Sequence, residues 1–257
     1  MFKSKCFILA AMFLHNLSLQ FFSILKTYLI TAVFLLAGMS LFGQKAEGLF
    51  DYNQISEAKV RKLLKAFDIK SLSDFNAINT QCYNAADSAT FRSHSKSYTI
   101  EAPIEQVWER YVKIPPHIAW QCLMVDYAFS FAGERGTVCH NSEDFTGLEK
   151  GQLHFLNLNF LGLFKLAVGH KVTRLDAEAK TIKFCYLENG SSRGSQWISM
   201  KALEDSTTEV THYTRYKSPS HFRDKNLYPT IHSMIINAYH HNIKRNLRRK
   251  MRRSNTR

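Results

Sequence analysis

The last long stretch of apolar residues with helical spacing covers residues 229–251. Its apolar positions recur every four residues, at Ile231, Ile235, Tyr239, Ile243, Leu247 and Met251. This spacing places one apolar stripe along one side of an α-helix, as expected for a helix that lies on another layer of structure. Pro229 suits the first helical turn, where a missing backbone N–H costs nothing. The pattern therefore predicts one long C-terminal helix.

The region before this helix alternates between apolar and polar residues in short runs. The predicted strands cover residues 95–102, 124–131, 137–141, 151–160, 164–174, 181–188, 195–203 and 208–217. Turn-forming pairs such as Asn189-Gly190 separate them, and strands at this regular spacing favour an antiparallel meander. Between the first two strands, Ile104 to Tyr111 has helical spacing that stops at Pro115. We therefore expect a curved antiparallel sheet wrapped around the C-terminal helix.

The first 44 residues have the layout of a secretory signal. Lys26 precedes an apolar run over 28–42, and small residues follow up to Gly43. The run is short for a membrane span, which needs about 20 residues. Two interpretations stay open: a signal peptide cleaved near 43–45, or an uncleaved N-terminal anchor. Either one predicts an exported protein, periplasmic or secreted, or one anchored to the membrane.

Residues 45–92 are predicted to form a helical N-terminal extension. Ile55, Val60, Leu63 and Phe67 alternate with lysines and an arginine at helical spacing. The segment is too short for a secure core of its own, so we expect it to pack on the main domain, residues 93–250. Residues 251–257 are predicted to be a basic disordered tail.

The net charge of +13 is concentrated at the C-terminus. Residues 244–257 hold eight lysines and arginines and no acid, so this segment is expected to leave the body of the domain. An anionic membrane surface is a suitable partner, since each cation near one contributes about 1 kcal/mol. The candidate membrane-surface residues are Lys244, Arg245, Arg248, Arg249, Arg252 and Arg253. The alternative is a solvated terminus; no nucleic acid is expected, because aromatic residues do not interleave with the charges.

Four cysteines lie outside the leader: Cys82, Cys122, Cys139 and Cys185. They are scattered and form no C-x-x-C pair, which argues against a zinc site. Buried thiols and one or two disulfides remain alternatives, the second following from export. The sequence predicts no metal and no cofactor.

The stretch from Tyr98 to Glu109, YTIEAPIEQVWE, resembles the opening of the START-like superfamily, also called SRPBCC. That superfamily includes Bet v 1-type plant proteins, START lipid-transfer domains and polyketide cyclase-like proteins. Ala102, Pro103, Val107 and Trp108 match its A-P-x-x-x-V-W pattern, and the resemblance extends over about residues 93–250. It implies an α+β helix-grip fold: about six to eight antiparallel strands around a long C-terminal helix, with two short helices after the first strand. It also implies a deep apolar cavity between sheet and helix, without fixing an activity.

The strand faces that lack charged residues are predicted to turn toward the C-terminal helix. The residues expected around a cavity there are Tyr127, Phe129, His170, Phe184, Tyr186, His212, Tyr216, Ile235 and Tyr239. An apolar pocket with a few tyrosines and histidines suits a largely apolar ligand with one polar end. The alternative is a filled core whose polar groups bond to the backbone.

Three functional hypotheses follow. The first is a non-enzymatic module that binds a hydrophobic or lipid-like small molecule. The second is a cyclase- or hydrolase-like enzyme that uses tyrosine and histidine in the same cavity. The third is a structural or partner-binding module with a filled core. No nucleophile with an identifiable base can be read from the sequence, so no catalytic residue is assigned and the first hypothesis is preferred.

Overall fold

The computed structural model describes residues 49–140, 145–160, 162, 164–204 and 206–254. The predicted leader, whether signal peptide or anchor, lies outside these residues, as do residues 255–257. None of the described helices is both long enough and apolar enough to cross a lipid bilayer.

In the part of the chain that the structure describes, eight strands form one antiparallel sheet with the order β1-β8-β7-β6-β5-β4-β2-β3. The strands are β1 (Arg92–Ile100), β2 (Val125–Ala132), β3 (Thr137–Cys139), β4 (Leu153–Phe160), β5 (Phe164–Asp176), β6 (Thr181–Tyr186), β7 (Arg193–Ala202) and β8 (Thr208–Lys217). The consecutive pairs from β4 to β8 are the predicted meander, and β1 then pairs with β8.

The described residues also form four α-helices: α1 (Ala58–Ala66), α2 (Ile104–Lys113), α3 (Pro116–Ala119) and α4 (Tyr228–Ser254). Short 3-10 turns cover Tyr52–Gln54, Ser73–Ala77 and Ala85–Thr90, and a π-helical turn, Arg223–Leu227, leads into α4. The two short helices follow the first strand and the long helix closes the chain, so the predicted α+β helix-grip fold is confirmed.

The concave side of the sheet packs on α2 and α4. Val107, Trp108 and Tyr111 of α2 are buried in a core that also contains Ile243 and Leu247 of α4. The helix α2 ends where it does because Pro115 and Pro116 follow it and offer no N–H to its carbonyls. The core therefore fixes the second half of α4 against the sheet.

The convex side of the sheet is covered by residues 49–91. Phe75 lies at the centre of this cover and stacks on Phe131 at 4.8 Å between ring centroids. A disulfide joins Cys82 of the cover to Cys185 on the outward face of β6, at a sequence separation of 103. Cys122 is a half-buried thiol and Cys139 is buried.

The orientation of β2 differs from the prediction. Val125 and Tyr127 face the concave side, but the register shifts between Tyr127 and Phe129, and this bulge turns Phe129 to the convex side. There Phe129 packs with Phe75 and Phe155. Its placement as a cavity residue was wrong, because strict alternation does not survive an extra residue in one strand.

The C-terminal end also differs from the prediction. The helix α4 continues through Met251 to Ser254, and Leu247 is only 3% exposed. Lys244 donates to the carbonyl of Thr99 at 2.9 Å, and Arg248 pairs with Glu101 at 2.9 Å. The segment from Lys244 therefore stays on the domain, since the apolar stripe that holds α4 continues between its cations.

Candidate functional site

A cavity of about 570 Å³ lies between the concave face of the sheet and the first half of α4. Its apolar walls come from β4, β5 and one face of α4, with Trp120 beside them: Leu156, Leu158, Leu166, Val168, Ile231, Ile235 and Ile236. Three large apolar side chains on its lining are exposed: Phe164 is 56%, Phe222 66% and Leu227 44% exposed, and they mark the mouth.

One wall of the cavity is polar. Its members face the cavity from β5, β6, β7 and α4: His170, Tyr186, Gln196, Tyr228 and His232. All are buried, so each needs a hydrogen-bond partner inside the protein.

Gln196 is the hub of this polar wall. Its Nε2 donates to the hydroxyl of Tyr186 at 2.9 Å and lies 3.2 Å from Nε2 of His170. Its Oε1 lies 2.8 Å from Nε2 of His212 and 3.4 Å from Nε2 of His232. The amide thus connects four side chains from three strands and α4.

Two hydrogen-bonded branches run from Gln196 into the protein. In the first, Nδ1 of His212 lies 2.9 Å from Nε2 of His240, whose Nδ1 lies 2.6 Å from the Tyr111 hydroxyl. In the second, Nδ1 of His232 lies 3.2 Å from Nδ1 of His94. Nε2 of His94 in turn lies 2.8 Å from the hydroxyl of Ser233. The polar wall is therefore the part of a larger buried network that faces the cavity.

Burial keeps this network neutral. It lowers the pKa of His170 to about 4 and that of His212 to about 3, and holds the pKa of His232 well below its ordinary value. It raises the pKa of Tyr186 to about 12 and that of Tyr228 well above its ordinary value. At pH 7 the wall offers hydrogen bonds and no charge.

Arg223 is the only permanently charged side chain among the described residues that line the cavity. Its guanidinium donates to the carbonyl of Ser191 at 2.6 Å and also to the hydroxyl of Ser192. It lies 6.0 Å from the ring centroid of Tyr228. These contacts hold the side chain between the β6–β7 turn and the start of α4.

The predicted cavity residues fall into three groups. His170, Tyr186 and Ile235 line the cavity. Directly behind this lining, His212, Tyr216, Phe184 and Tyr239 are buried in the network or the core. Tyr127 lies apart from the cavity lining and donates to the carbonyl of Cys139 at 3.1 Å, and Phe129 is on the other side of the sheet.

Sequence reasoning missed Gln196, Tyr228, His232 and Trp120 as lining residues. Gln196 lies two residues before Ile198 and four before Met200 on β7. Alternation along the strand therefore places all three side chains on the same inward face. His232 lies between Ile231 and Ile235 on α4, and its position on the inward face follows from the same helical spacing.

Within the described part of the chain, no group of three or more histidine, cysteine or acidic side chains is arranged to hold a metal ion. Both ring nitrogens are instead hydrogen-bonded within the network in His94, His212, His232 and His240, and Nε2 of His170 is bonded to Gln196.

No protein-family model and no curated protein sequence matches this chain. Solved structures do match. Norcoclaurine synthase from Thalictrum flavum, as a point mutant with a transition-state analogue, is 13% identical, with a TM-score of 0.48 over 63% of this chain and 96% of that one. A conserved protein from Geobacillus kaustophilus is 14% identical, with a TM-score of 0.45 over 62% of this chain and 96% of that one. The allergen Ara h 8.0201 is 10% identical, with a TM-score of 0.44 over 61% of this chain and 97% of that one. The helix-grip architecture that the predicted resemblance implied is present in the order of strands and helices of this chain itself.

Proposed function

We propose that this protein binds a hydrophobic or lipid-like small molecule in the cavity under α4. The observation that carries the proposal is the cavity itself: about 570 Å³, with apolar walls and one neutral polar wall. Ligand pockets have volumes of roughly 300–1,000 Å³ and this same combination of lining groups. A filled core, the third hypothesis, would have left no such space.

Replacing Ile235 by tryptophan is expected to abolish binding of an apolar probe. Ile235 lines the cavity and is 7% exposed, so the larger ring has to occupy the ligand's space. We expect N-phenylnaphthylamine fluorescence to rise with the wild-type protein and to show at least about tenfold weaker binding with Ile235→Trp. Met234→Trp is the matched control, because Met234 is next to Ile235 in the sequence and its side chain is 50% exposed.

This experiment has two outcomes that would contradict the proposal: no probe binding by the wild-type protein, or equal binding by Ile235→Trp while its circular dichroism spectrum stays native. Native mass spectrometry of protein purified from its own host complements it and identifies the ligand that copurifies.

Export, with docking on an anionic membrane, forms the second part of the proposal. Its support is the signal-like leader, the disulfide between Cys82 and Cys185, which suits an oxidising compartment, and the cations of α4. The cations and the mouth lie at opposite ends of α4, because Tyr228 and Arg252 are separated by about 36 Å of helix at 1.5 Å per residue. Docking through the cations alone would therefore not bring the mouth to the bilayer; the exposed Phe164 and Phe222 are the groups that would do so.

Neutralising three cations of α4 is expected to release the protein from membranes. In fractionated host cells we expect the wild-type chain outside the cytoplasm, with Cys82 and Cys185 oxidised. Salt should release it if the leader has been cleaved. Arg245, Arg249 and Arg252 changed to glutamine should shift the processed chain to the soluble fraction. The matched control changes Lys59, Lys62 and Lys65, three exposed cations of α1, to glutamine. A cytoplasmic chain with reduced cysteines, or equal release by both triple variants, would contradict this part.

Catalysis on a carbonyl substrate is a second candidate function. The observation in its favour is that a histidine and a tyrosine, His170 and Tyr228, both line the cavity. Polarising a carbonyl by such donors accelerates proton transfer at the adjacent atoms. Turnover of a carbonyl ligand identified by mass spectrometry, lost in His170→Phe while binding persists, distinguishes this function from binding alone.

A further inference from the structure

The direction of the hydrogen bonds in the buried network is set at its inner end. The Tyr111 hydroxyl is fully buried, and Nδ1 of His240, 2.6 Å away, is its only partner among the described residues. A buried hydroxyl proton without an acceptor is costly, so Tyr111 donates to His240. His240 therefore carries its own proton on Nε2.

Each later bond in the branch takes its direction from the one before. Nε2 of His240 donates to Nδ1 of His212 at 2.9 Å, so His212 carries its proton on Nε2. That nitrogen donates to Oε1 of Gln196 at 2.8 Å. The second branch agrees with this assignment, because Ser233 donates to His94, His94 to His232, and His232 to the same Oε1.

The donor-to-acceptor direction of these hydrogen bonds continues through Gln196 to the cavity. Since its oxygen accepts from the interior, its amide protons go to Nε2 of His170 and to the Tyr186 hydroxyl. His170 then carries its proton on Nδ1. Tyr186 donates its proton to the hydroxyl of Tyr228 at 2.6 Å. The hydroxyl proton of Tyr228 and the Nδ1 proton of His170 have no acceptor among the described residues, and both side chains line the cavity.

We propose that the cavity selects ligands whose polar end is a hydrogen-bond acceptor without a donor, such as the carbonyl oxygen of a ketone, aldehyde or ester. The polar wall presents the Tyr228 and His170 protons, and a carbonyl oxygen has lone pairs for both. An ammonium group brings several donors to a wall whose nitrogen and amide acceptors are all occupied, and this wall lies near the Arg223 guanidinium. This inference rests on the proposed function and specifies its ligand class.

Three probes of nearly equal shape test the proposal by displacing N-phenylnaphthylamine: acetylnaphthalene, ethylnaphthalene and the matching naphthylethylamine. The ketone is expected to bind about three- to tenfold more tightly than the hydrocarbon, the effect of one added hydrogen bond. The amine, protonated at pH 7, should bind at least about tenfold more weakly than the ketone.

Tyr228→Phe removes the hydroxyl proton that Tyr228 presents to the cavity. It should lower the preference for the ketone over the hydrocarbon by at least about twofold, because only the Nδ1 proton of His170 is then left to donate, while hydrocarbon binding is unchanged. Tyr216→Phe is the matched control, because Tyr216 stacks on Tyr228 at 3.6 Å but gives its own hydroxyl proton to the Asp224 carbonyl at 2.9 Å. That variant should keep the wild-type preference.

The failures of the two proposals are separable. If none of the three probes binds the wild-type protein, the proposed function is overturned. If the hydrocarbon binds as tightly as the ketone, or if Tyr228→Phe keeps the full wild-type preference for the ketone, the acceptor rule alone is overturned. Tightest binding of the amine would also overturn that rule.

Discussion

Acidification from pH 7 to pH 5 is expected to lower the free energy of unfolding by roughly 6 kcal/mol, about 2 kcal/mol for each of three buried histidines. Burial lowers the pKa of His154 to about 3, of His170 to about 4 and of His212 to about 3. In the unfolded chain each titrates near its ordinary value of 6.5. Between that value and about 4 the unfolded chain binds more protons, so stability is complete above pH 6.5 and is lost as the pH falls. Since domains are typically stable by about 5–15 kcal/mol, much of this protein should unfold near pH 5.

Urea unfolding at pH 7, 6 and 5, followed by circular dichroism, measures this loss. His154→Leu is the informative variant: the side chain is 2% exposed, and neither ring nitrogen has a partner among the described residues. Removing it leaves the Gln196 network whole and should reduce the loss at pH 5 by about 2 kcal/mol. His241→Gln, at an exposed position of α4, serves as the control and should lose as much as the wild-type protein. Equal loss of stability at pH 5 in His154→Leu and in the wild-type chain would contradict a contribution of the buried His154 to acid sensitivity.

The parts of the fold that depend on local periodicity were predictable from the sequence. On β8 the inward positions are Val210, His212, Thr214 and Tyr216, as alternation predicted, because the strand pairs with both neighbours without a bulge. The stripe of α4 likewise identified the face that packs on the sheet. In both cases a single repeat, two residues or about four, determines which side chains are buried.

The parts that depend on register or on distant segments were not predictable. Phe129 lies on the convex side, and not on the predicted concave side, because of a β-bulge in β2. No local sequence pattern indicates that bulge. Gln196, His212 and His232 meet only when two neighbouring strands and α4 are docked in one register. Alternation could indicate that each faces inward, but not that they share one amide. The cover formed by residues 49–91 was expected on the domain, yet its place on the convex side follows from contacts far apart in sequence.

Replacing Gln196 by leucine is expected to lower the free energy of unfolding by about 3–5 kcal/mol at pH 7. Leucine nearly matches the volume but satisfies none of the groups that meet at this amide. His212 loses its acceptor, and His170 and Tyr186 lose their donor, all of them buried. Each orphaned group costs about 1–3 kcal/mol, partly relieved by rearrangement. Urea unfolding measures the change, and Ser199→Ala, an exposed position on the same strand, should shift stability by less than about 0.5 kcal/mol. A loss below about 1 kcal/mol would contradict the role of Gln196 as the hub.

Gln196→Glu keeps the shape of the side chain at position 196 but removes its hydrogen-bond donors. A carboxylate of the same shape still accepts from His212, but it cannot donate to His170 or Tyr186. Both side chains then turn their protons toward residue 196, and Tyr228 donates to Tyr186 instead of to the cavity. We therefore expect this variant to lose the preference for acetylnaphthalene and to bind the naphthylethylamine more tightly than wild type does, because the wall now offers acceptors and a negative charge. If Gln196→Glu folds and keeps the wild-type order of ligands, the donor character of the cavity does not originate at Gln196, and the chain of directed bonds from Tyr111 is not what sets it.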